Sequence, residues 1–269
     1  MDNFTNYKEI ALEVRKTVLR LIYQAQTSHI GSNFSCIDIL TVLYSIANVD
    51  KDLKEDRDRI VVSKGWVAAA MYVFLDRKGI IPKEDLETYC KNGSKYIGLA
   101  EPNVRGVEAA GGSMGFGLPF GVGFALAKKM KKEQGKAFVL MSDGEMDCGT
   151  TWESALIASH HKLDNLLVIV DFNGLQGMGR VEEILNIEPL KDKWKAFGWE
   201  VQEIDGHNFE EIERALTSSP LQKGKPIVII AKTIKGKGAS FMEGNNLYHY
   251  KALSEEEYWR ALKELESNG

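Results

Sequence analysis

Short apolar runs alternate with amphipathic stretches along this chain. Five runs predict strands, at 59–63, 137–141, 166–171, 200–204 and 226–233. Stretches with helical periodicity lie before and between them, at 4–27, 35–47, 66–77, 84–92, 150–162, 190–197 and 209–218, with a last helix from Ser254. Because strands alternate with helices, we expect an α/β fold: a largely parallel sheet with helices on both faces, preceded by N-terminal helices.

Local signals set some of the expected boundaries. Ser35 followed by Asp38, and Ser254 followed by Glu257, resemble capping boxes and predict the starts of two helices. The glycine-rich stretch 98–123 predicts a loop that runs into a closely packed helix start. The segments 172–188 and 234–250 have no clear period and are predicted to be loops.

Polar residues end two successive predicted strands. Asp143-Gly144 and Asn173 stand 30 residues apart, separated by one predicted helix. Neighbouring parallel strands end at the same sheet edge, which is where open α/β sheets bind ligands. A carboxylate and an amide oxygen there suit Mg²⁺ or Ca²⁺ carrying a phosphorylated ligand. The alternative is an ordinary strand–helix–strand turn with a polar end.

Other segments carry candidate chemistry, each with a plainer alternative. His29 lies between the first two helices and could be an ordinary loop histidine. The glycines of 111–117 allow a close ligand approach, or only close packing. The lysines of 232–237 follow the last strand and could instead be a solvated charge run. His249 closes the loop that follows them.

Composition excludes several classes of protein. The 269 residues have a net charge of −4, so nothing favours nucleic acid or an anionic membrane as a partner. No apolar stretch is long enough to span a bilayer, and the first helix carries too many charges for a signal peptide. Three widely spaced cysteines form no zinc motif and predict a reducing compartment, the cytoplasm.

Taken together, the ordered motifs resemble the transketolase family over nearly the whole chain. The Asp143 to Asn173 spacing resembles the diphosphate motif of thiamine-diphosphate enzymes, with Ser142 in place of its first glycine. Residues 28–31, 58–65, 112–118 and 235–238, and the later His249, resemble transketolase segments in the same order. Five ordered matches are more specific than any single motif.

The resemblance implies a role for each matching residue. Thiamine diphosphate and Mg²⁺ (or Ca²⁺) would be the cofactors, with Asp143, the Asn173 side chain and the Leu175 carbonyl as metal ligands. Gly144 and the adjoining Glu145 would lie beside the diphosphate at a helix start. Lys235 and His249 would contact the diphosphate. Gly115 and Leu118 would contact the cofactor rings. His29 would be the catalytic residue and would face the sugar hydroxyls.

The resemblance also implies a partner chain. We expect residues 1–269 to form a single diphosphate-binding domain, with the pyrimidine-binding and C-terminal domains on a second polypeptide. The pair would be an α2β2 heterotetramer that transfers a two-carbon ketol unit from a ketose to an aldehyde. The loop around 112–117 is expected at the interface, beside an exposed apolar patch.

The sequence departs from the family at three places, and the first two bear on the substrate. Trp66 stands where the family has a histidine, segment 98–102 has lost another, and Cys148 replaces a glutamate. A modified or nucleotide-linked sugar is therefore expected as the substrate. The alternative is that Trp66 merely fills space behind an ordinary sugar-phosphate site. Two alternatives stay open: the α-subunit of a 2-oxo acid dehydrogenase or decarboxylase, and a noncatalytic cofactor-binding subunit.

Overall fold

A computed structural model describes residues 3–218 and 222–268. The strands are β1 (Arg59–Val62), β2 (Ala137–Ser142), β3 (Leu166–Phe172), β4 (Glu200–Asp205) and β5 (Ile227–Lys232). The helices are α1 (Asn3–Ala25), α2 (Ile30–Ile46), α3 (Ala68–Arg77), α4 (Lys83–Leu86), α5 (Gly117–Lys131), α6 (Gly149–His160), α7 (Val181–Ile184), α8 (Leu190–Ala196), α9 (Phe209–Thr217) and α10 (Glu255–Asn268). Short 3₁₀ turns occupy Gly65–Val67, Asp143–Asp147 and Asn246–His249.

The five strands form one parallel sheet in the order β1-β2-β3-β5-β4, which confirms the predicted fold class. Ser142 pairs with Asp171 and Phe172 with Lys232, so β2, β3 and β5 end at one edge. The sites predicted after these strands are therefore neighbours.

Helices cover both faces of the sheet because side chains alternate along each strand. Ile60, Phe138 and Leu167 belong to a core shared with α1, α2, α3, α9 and α10. Val61, Val139 and Val168 point to the opposite core, shared with α5, α6 and α8. The central strands are buried on both sides, which explains their continuous apolar runs.

The predicted start of the second helix was wrong. This helix begins at Ile30, with His29 as a left-handed N-cap at φ 73°, and not at Ser35. Ser35 is fully buried, and its hydroxyl donates to Asp171, and lies 3.1 Å from the Ser32 carbonyl, instead of capping a helix. The helix is buried throughout residues 30–44, so it has no polar face to mark its beginning.

At the final helix, the predicted capping box is present. The Glu257 amide donates to Ser254 Oγ at 3.2 Å, and the Ser254 amide donates to Glu257 Oε2 at 2.9 Å. Both halves of the predicted capping box are present at this exposed site.

Smaller differences affect three other predicted elements. The helix expected at 84–92 ends at Leu86, and the chain then turns through Cys90 at φ 54°. The helix expected from Trp66 starts with a 3₁₀ turn, and the loop at 172–188 contains the short α7. Among the described residues, no helix is long and apolar enough to cross a membrane.

Candidate functional site

A cavity of about 410 Å³ opens at the carboxyl edge of the sheet. It brings together residues that follow β1, β2, β3 and β5, as expected for an open parallel sheet. Its lining comprises His29, Ser32, Lys64, Trp66, Leu99, Gly112, Met114, Ser142, Asp143, Gly144, Asn173, Leu175, Gln176, Gly177, Met178, His249 and Tyr250. Six predicted site residues therefore line one cavity: His29, Asp143, Gly144, Asn173, Leu175 and His249.

Asp143 is a buried carboxylate held by backbone amides. Its Oδ1 accepts from the Gly144 amide at 2.9 Å and its Oδ2 from the Gly174 amide at 2.6 Å. No cation in the described part of the chain forms an ion pair with it. Burial and the neighbouring Asp171 raise the pKa of Asp143 to about 7. A carboxylate in this state favours a bound cation.

Asn173 and Leu175 form an Asx turn beside Asp143. Asn173 Oδ1 accepts from the Leu175 amide at 3.1 Å, which leaves its second lone pair for another partner. The Leu175 carbonyl lies 3.4 Å from Lys235 Nζ. The described residues contain no cluster of three His, Cys, Asp or Glu side chains suited to a metal. The predicted site has one carboxylate, one amide and one carbonyl, and it stays a prediction.

Lys235 is almost completely buried behind the cavity, at 1% exposure. Its Nζ lies 2.8 Å from His249 Nδ1 and 3.0 Å from Asn246 Oδ1, and no carboxylate of the described residues pairs with it. Burial and the nearby Lys64 lower the pKa of Lys235 to about 8. A buried cation with only neutral partners is electrostatically suited to an anionic ligand.

The two predicted histidines are joined through the backbone. The His29 amide donates to the His249 carbonyl at 2.9 Å, and the ring centroids are 5.1 Å apart. Burial and Lys235 lower the pKa of His29 to about 4 and that of His249 to about 3. Both rings are therefore neutral near pH 7. The left-handed backbone of His29 is a strained conformation that the contact with His249 helps to hold.

Lys64 and Asp171 form a fully buried ion pair under the cavity, and the sequence analysis assigned neither of them a role. Ser35 and Thr233 also donate hydrogen bonds to the Asp171 carboxylate. Burial opposes the charge on Asp171, but Lys64 and these hydroxyls lower its pKa. Both residues follow the sheet-edge pattern, since Lys64 comes shortly after β1 and Asp171 lies near the end of β3. That placement was the signal by which they could have been found.

Two other predicted cofactor contacts, Gly115 and Leu118, do not line the cavity. Gly115 has φ 79°, and a Cβ there would lie 2.5 Å from Cys148 Cβ, so the close approach requires glycine. Leu118 is fully buried in the core under α5. Gly144 lines the cavity as the second residue of the five-residue 3₁₀ turn Asp143–Asp147.

Glu145 is fully buried next to that turn. Its carboxylate accepts hydrogen bonds from the Ser142 and Gly115 amides, at 2.8 and 3.0 Å, and from Ser63. Burial raises its pKa. In this structure Glu145 ties the glycine-rich segment to the end of β2, and its cofactor contact stays a prediction, as do those of Gly115 and Leu118.

Apolar side chains form the rim of the cavity. Leu99, Met114, Met178 and Tyr250 are 39%, 42%, 81% and 66% exposed. Trp66 lines the same cavity, although part of its ring packs against the core. The base of the site is thus charged and buried, and its mouth offers flat, apolar surface.

Comparisons with known proteins identify the class. Residues 7–268 match the family described as "Transketolase, thiamine diphosphate binding domain". The chain belongs to the transketolase family and corresponds to its thiamine-diphosphate-binding domain.

Among the relatives, one of the subunits of an apulose-4-phosphate transketolase from Phocaeicola vulgatus is 41% identical over 93% of this chain and 90% of its own length. A 6-deoxy-6-sulfo-D-fructose transketolase subunit from Clostridium sp. is 39% identical over 95% of this chain and 94% of its own length. The crystal structure of Campylobacter jejuni transketolase superimposes with a TM-score of 0.89 at 32% identity. That match covers 97% of this chain and 43% of the other, so this chain spans about two fifths of the solved transketolase.

Proposed function

We propose that this chain, as one diphosphate-binding domain over residues 1–269, is the cofactor-holding subunit of a two-chain transketolase. It would transfer a two-carbon ketol unit from a ketose to an aldehyde. The observation that carries the proposal is the cavity at the carboxyl edge, where the buried Lys235 and Asp143 form no ion pair within the described chain. A metal-bound diphosphate supplies both missing charges.

The residues present fit thiamine diphosphate with Mg²⁺. Asp143, Asn173 and the Leu175 carbonyl are oxygen donors of the kind Mg²⁺ takes, and Ca²⁺ is the alternative. Lys235 and His249 lie together where they would hold the diphosphate. A Cβ on Gly144 would lie 3.1 Å from the Gln176 side chain, so a larger residue at this position would crowd the wall of the cavity.

The reacting chemistry divides between the cofactor and the chain. When bound, the thiazolium ring supplies an electron sink for cleavage between C2 and C3 of the ketose. His29, neutral and facing the cavity, would accept and return the proton of a sugar hydroxyl.

A partner chain is part of the proposal. Relatives of similar length are called transketolase subunits. Around the glycine-rich segment, Met114, Phe116 and Phe120 are 42%, 48% and 43% exposed, which suits a docking partner that carries the pyrimidine-binding domain. We propose an α2β2 heterotetramer. The described cysteines are free thiols, which supports a cytoplasmic location.

For the substrate, we propose a modified sugar phosphate or sulfosugar. Two relatives are named for apulose 4-phosphate and for 6-deoxy-6-sulfo-D-fructose. The apolar rim with Trp66 supports a ligand that has fewer hydrogen-bonding groups than an ordinary pentose phosphate. A nucleotide-linked sugar could stack on the same indole, and a substrate panel separates the two.

The test is reconstitution. The tagged chain is used to isolate its partner, and the pair is assayed with thiamine diphosphate and Mg²⁺ on xylulose 5-phosphate and a panel of modified sugars. We expect no turnover from either chain alone and ketol transfer from the pair. Full activity of this chain alone would refute the two-chain proposal, and a pair that binds cofactor without turning over any ketose would support the noncatalytic alternative.

A further inference from the structure

The segment that carries Lys235 is anchored on both sides of that residue by one buried polar cluster. This segment, residues 234–238, will be called the Lys235 loop. The Ile234 amide donates to His207 Nε2 at 2.8 Å, and Arg15 Nε donates to the Lys237 carbonyl at 3.2 Å. The cluster lies beside a second cavity, between α1, α9, α10 and the loop, that has no part in the site described above.

Asp38 joins these two anchors. Arg15 donates to both oxygens of its carboxylate, at 2.7 and 2.9 Å, and His207 Nδ1 lies 2.7 Å from Oδ2. The side chains of Arg15, Asp38 and His207 are only 9%, 7% and 13% exposed. A bidentate pair in this setting fixes geometry as well as charge.

The hydrogen bonds define the state of His207. A backbone amide can only donate, so Nε2 must accept and carry no proton. The proton of the neutral ring is then on Nδ1, where it donates to Asp38. Asp38 thereby selects the tautomer and the ring orientation that can receive the Ile234 amide.

This arrangement matters because Lys235 is costly to keep buried. Its ammonium has neutral partners only, among the described residues, and Lys64 repels it. A loose loop would let the ammonium swing toward water, where it is better solvated. Gly236 adds a third anchor from α2, since its amide donates to the Gly31 carbonyl at 2.9 Å.

We propose that Asp38, through Arg15 and His207, is the positioning residue that holds the Lys235 loop in the conformation that binds an anion. The inference rests on the proposed function for the role of Lys235. Asp38 lines the second cavity and not the cavity of the candidate site. Its effect on binding must pass through Lys235, and this makes the inference testable.

The first measurement is amide hydrogen exchange in the full chain, which requires no ligand. Replacing His207 by Phe removes the acceptor, and we expect protection of the Ile234 amide to fall by at least about tenfold while the strands keep theirs. His207→Gln retains an acceptor and should restore much of the protection. Asp38→Asn should lower the protection of the amides of Ile234 and its neighbours. Asparagine is chosen over alanine because it keeps a polar side chain beside the buried Arg15. Unchanged Ile234 protection in His207→Phe and Asp38→Asn would overturn the proposal.

The second measurement is a double-mutant cycle on binding of Mg²⁺-pyrophosphate to the same chain. We expect Asp38→Asn to raise the Kd by about tenfold in the wild-type background and to have little effect when Lys235 is already Met. Glu108→Gln, which breaks a similarly buried ion pair at the opposite sheet edge, is the matched control and should leave the Kd unchanged. Equal effects of Asp38→Asn in both backgrounds would overturn the positioning role.

The two failures can be told apart. If Lys235→Met has no effect on pyrophosphate binding, the proposed function fails and the positioning role falls with it. If Lys235→Met weakens binding but Asp38→Asn does not, only the present inference is wrong.

Discussion

Two groups of charged side chains, at opposite edges of the sheet, are held in opposite ways, although the carboxyl edge also holds the paired Lys64 and Asp171. At the amino edge, Glu108 pairs with Arg57 at 2.8 Å and with Arg59 at 3.0 Å. At the carboxyl edge, Asp143 and Lys235 are more deeply buried and have no ion-pair partner among the described residues. An unpaired buried charge is costly in free energy. Such charges are therefore typical of sites where a ligand of opposite charge binds. The comparison separates charges that are paired within the fold from charges that, in our proposal, a ligand pairs.

The largest expected effect comes from removing the carboxylate at the carboxyl edge. Asp143→Ala should weaken Mg²⁺-dependent binding of thiamine diphosphate to the assembled pair by on the order of a hundredfold or more, because the diphosphate charge loses its metal. Calorimetric titration measures the affinity. Glu108→Gln, which breaks charges at the other edge, should lower stability but leave the affinity unchanged. Unchanged affinity in Asp143→Ala would remove the metal assignment.

The next effect comes from the buried cation. Lys235→Met should raise the Kd for Mg²⁺-pyrophosphate by about 10–100-fold, since a charge-assisted hydrogen bond is lost while the apolar stem is kept. Lys237→Met is the matched control in the same loop, because that side chain pairs with Glu243 outside the site. Similar losses in both variants would mean that loop charge in general, and not Lys235, governs binding.

The pH dependence of binding sharpens the comparison further. The pKa of Asp143 is raised to about 7, so its ligating form is lost as pH falls below that value. The pKa of Lys235 is lowered to about 8, so its positive charge is lost as pH rises above that value. Affinity for Mg²⁺-pyrophosphate should therefore peak between about pH 7 and 8 and fall by up to about tenfold per pH unit on either side.

Variants separate the two arms of this profile from the ionisation of the ligand itself. Asp143→Asn should abolish the protein's contribution to the acid arm, and Lys235→Met should abolish its contribution to the alkaline arm. Titrations at several pH values with all three proteins measure the differences. A wild-type profile with the same shape as that of both variants would contradict these assignments.

The smallest expected effect concerns the apolar mouth of the site. Trp66→His should raise the efficiency of the pair on xylulose 5-phosphate by up to about tenfold, because one polar partner for a sugar hydroxyl is restored. Trp66→Phe keeps the apolar surface and should keep the preference for modified sugars. Steady-state kcat/KM on both substrates is the measurement. An unchanged preference in Trp66→His would mean that Trp66 only fills space behind the site.

Sequence reasoning worked where signals are local. The apolar runs located all five strands of the described residues, and Ser254 with Glu257 marked the start of the last helix. It failed at α2, where Ser35 resembles a cap in the sequence but is buried against Asp171, 136 positions away. It also assigned no role to Lys64, because the role of that lysine follows from its pairing with a buried carboxylate that is distant in the sequence.

The sequence by itself determined the class of fold, the family resemblance and the edge at which the site lies. The reason is that strand period, helix period and the 30-residue spacing of Asp143 and Asn173 are properties of short segments. Tertiary structure decided that β5 lies between β3 and β4, which carries Lys235 up to the Leu175 carbonyl. It also decided that Asp38 meets His207, since contacts between distant positions depend on packing that no local pattern encodes.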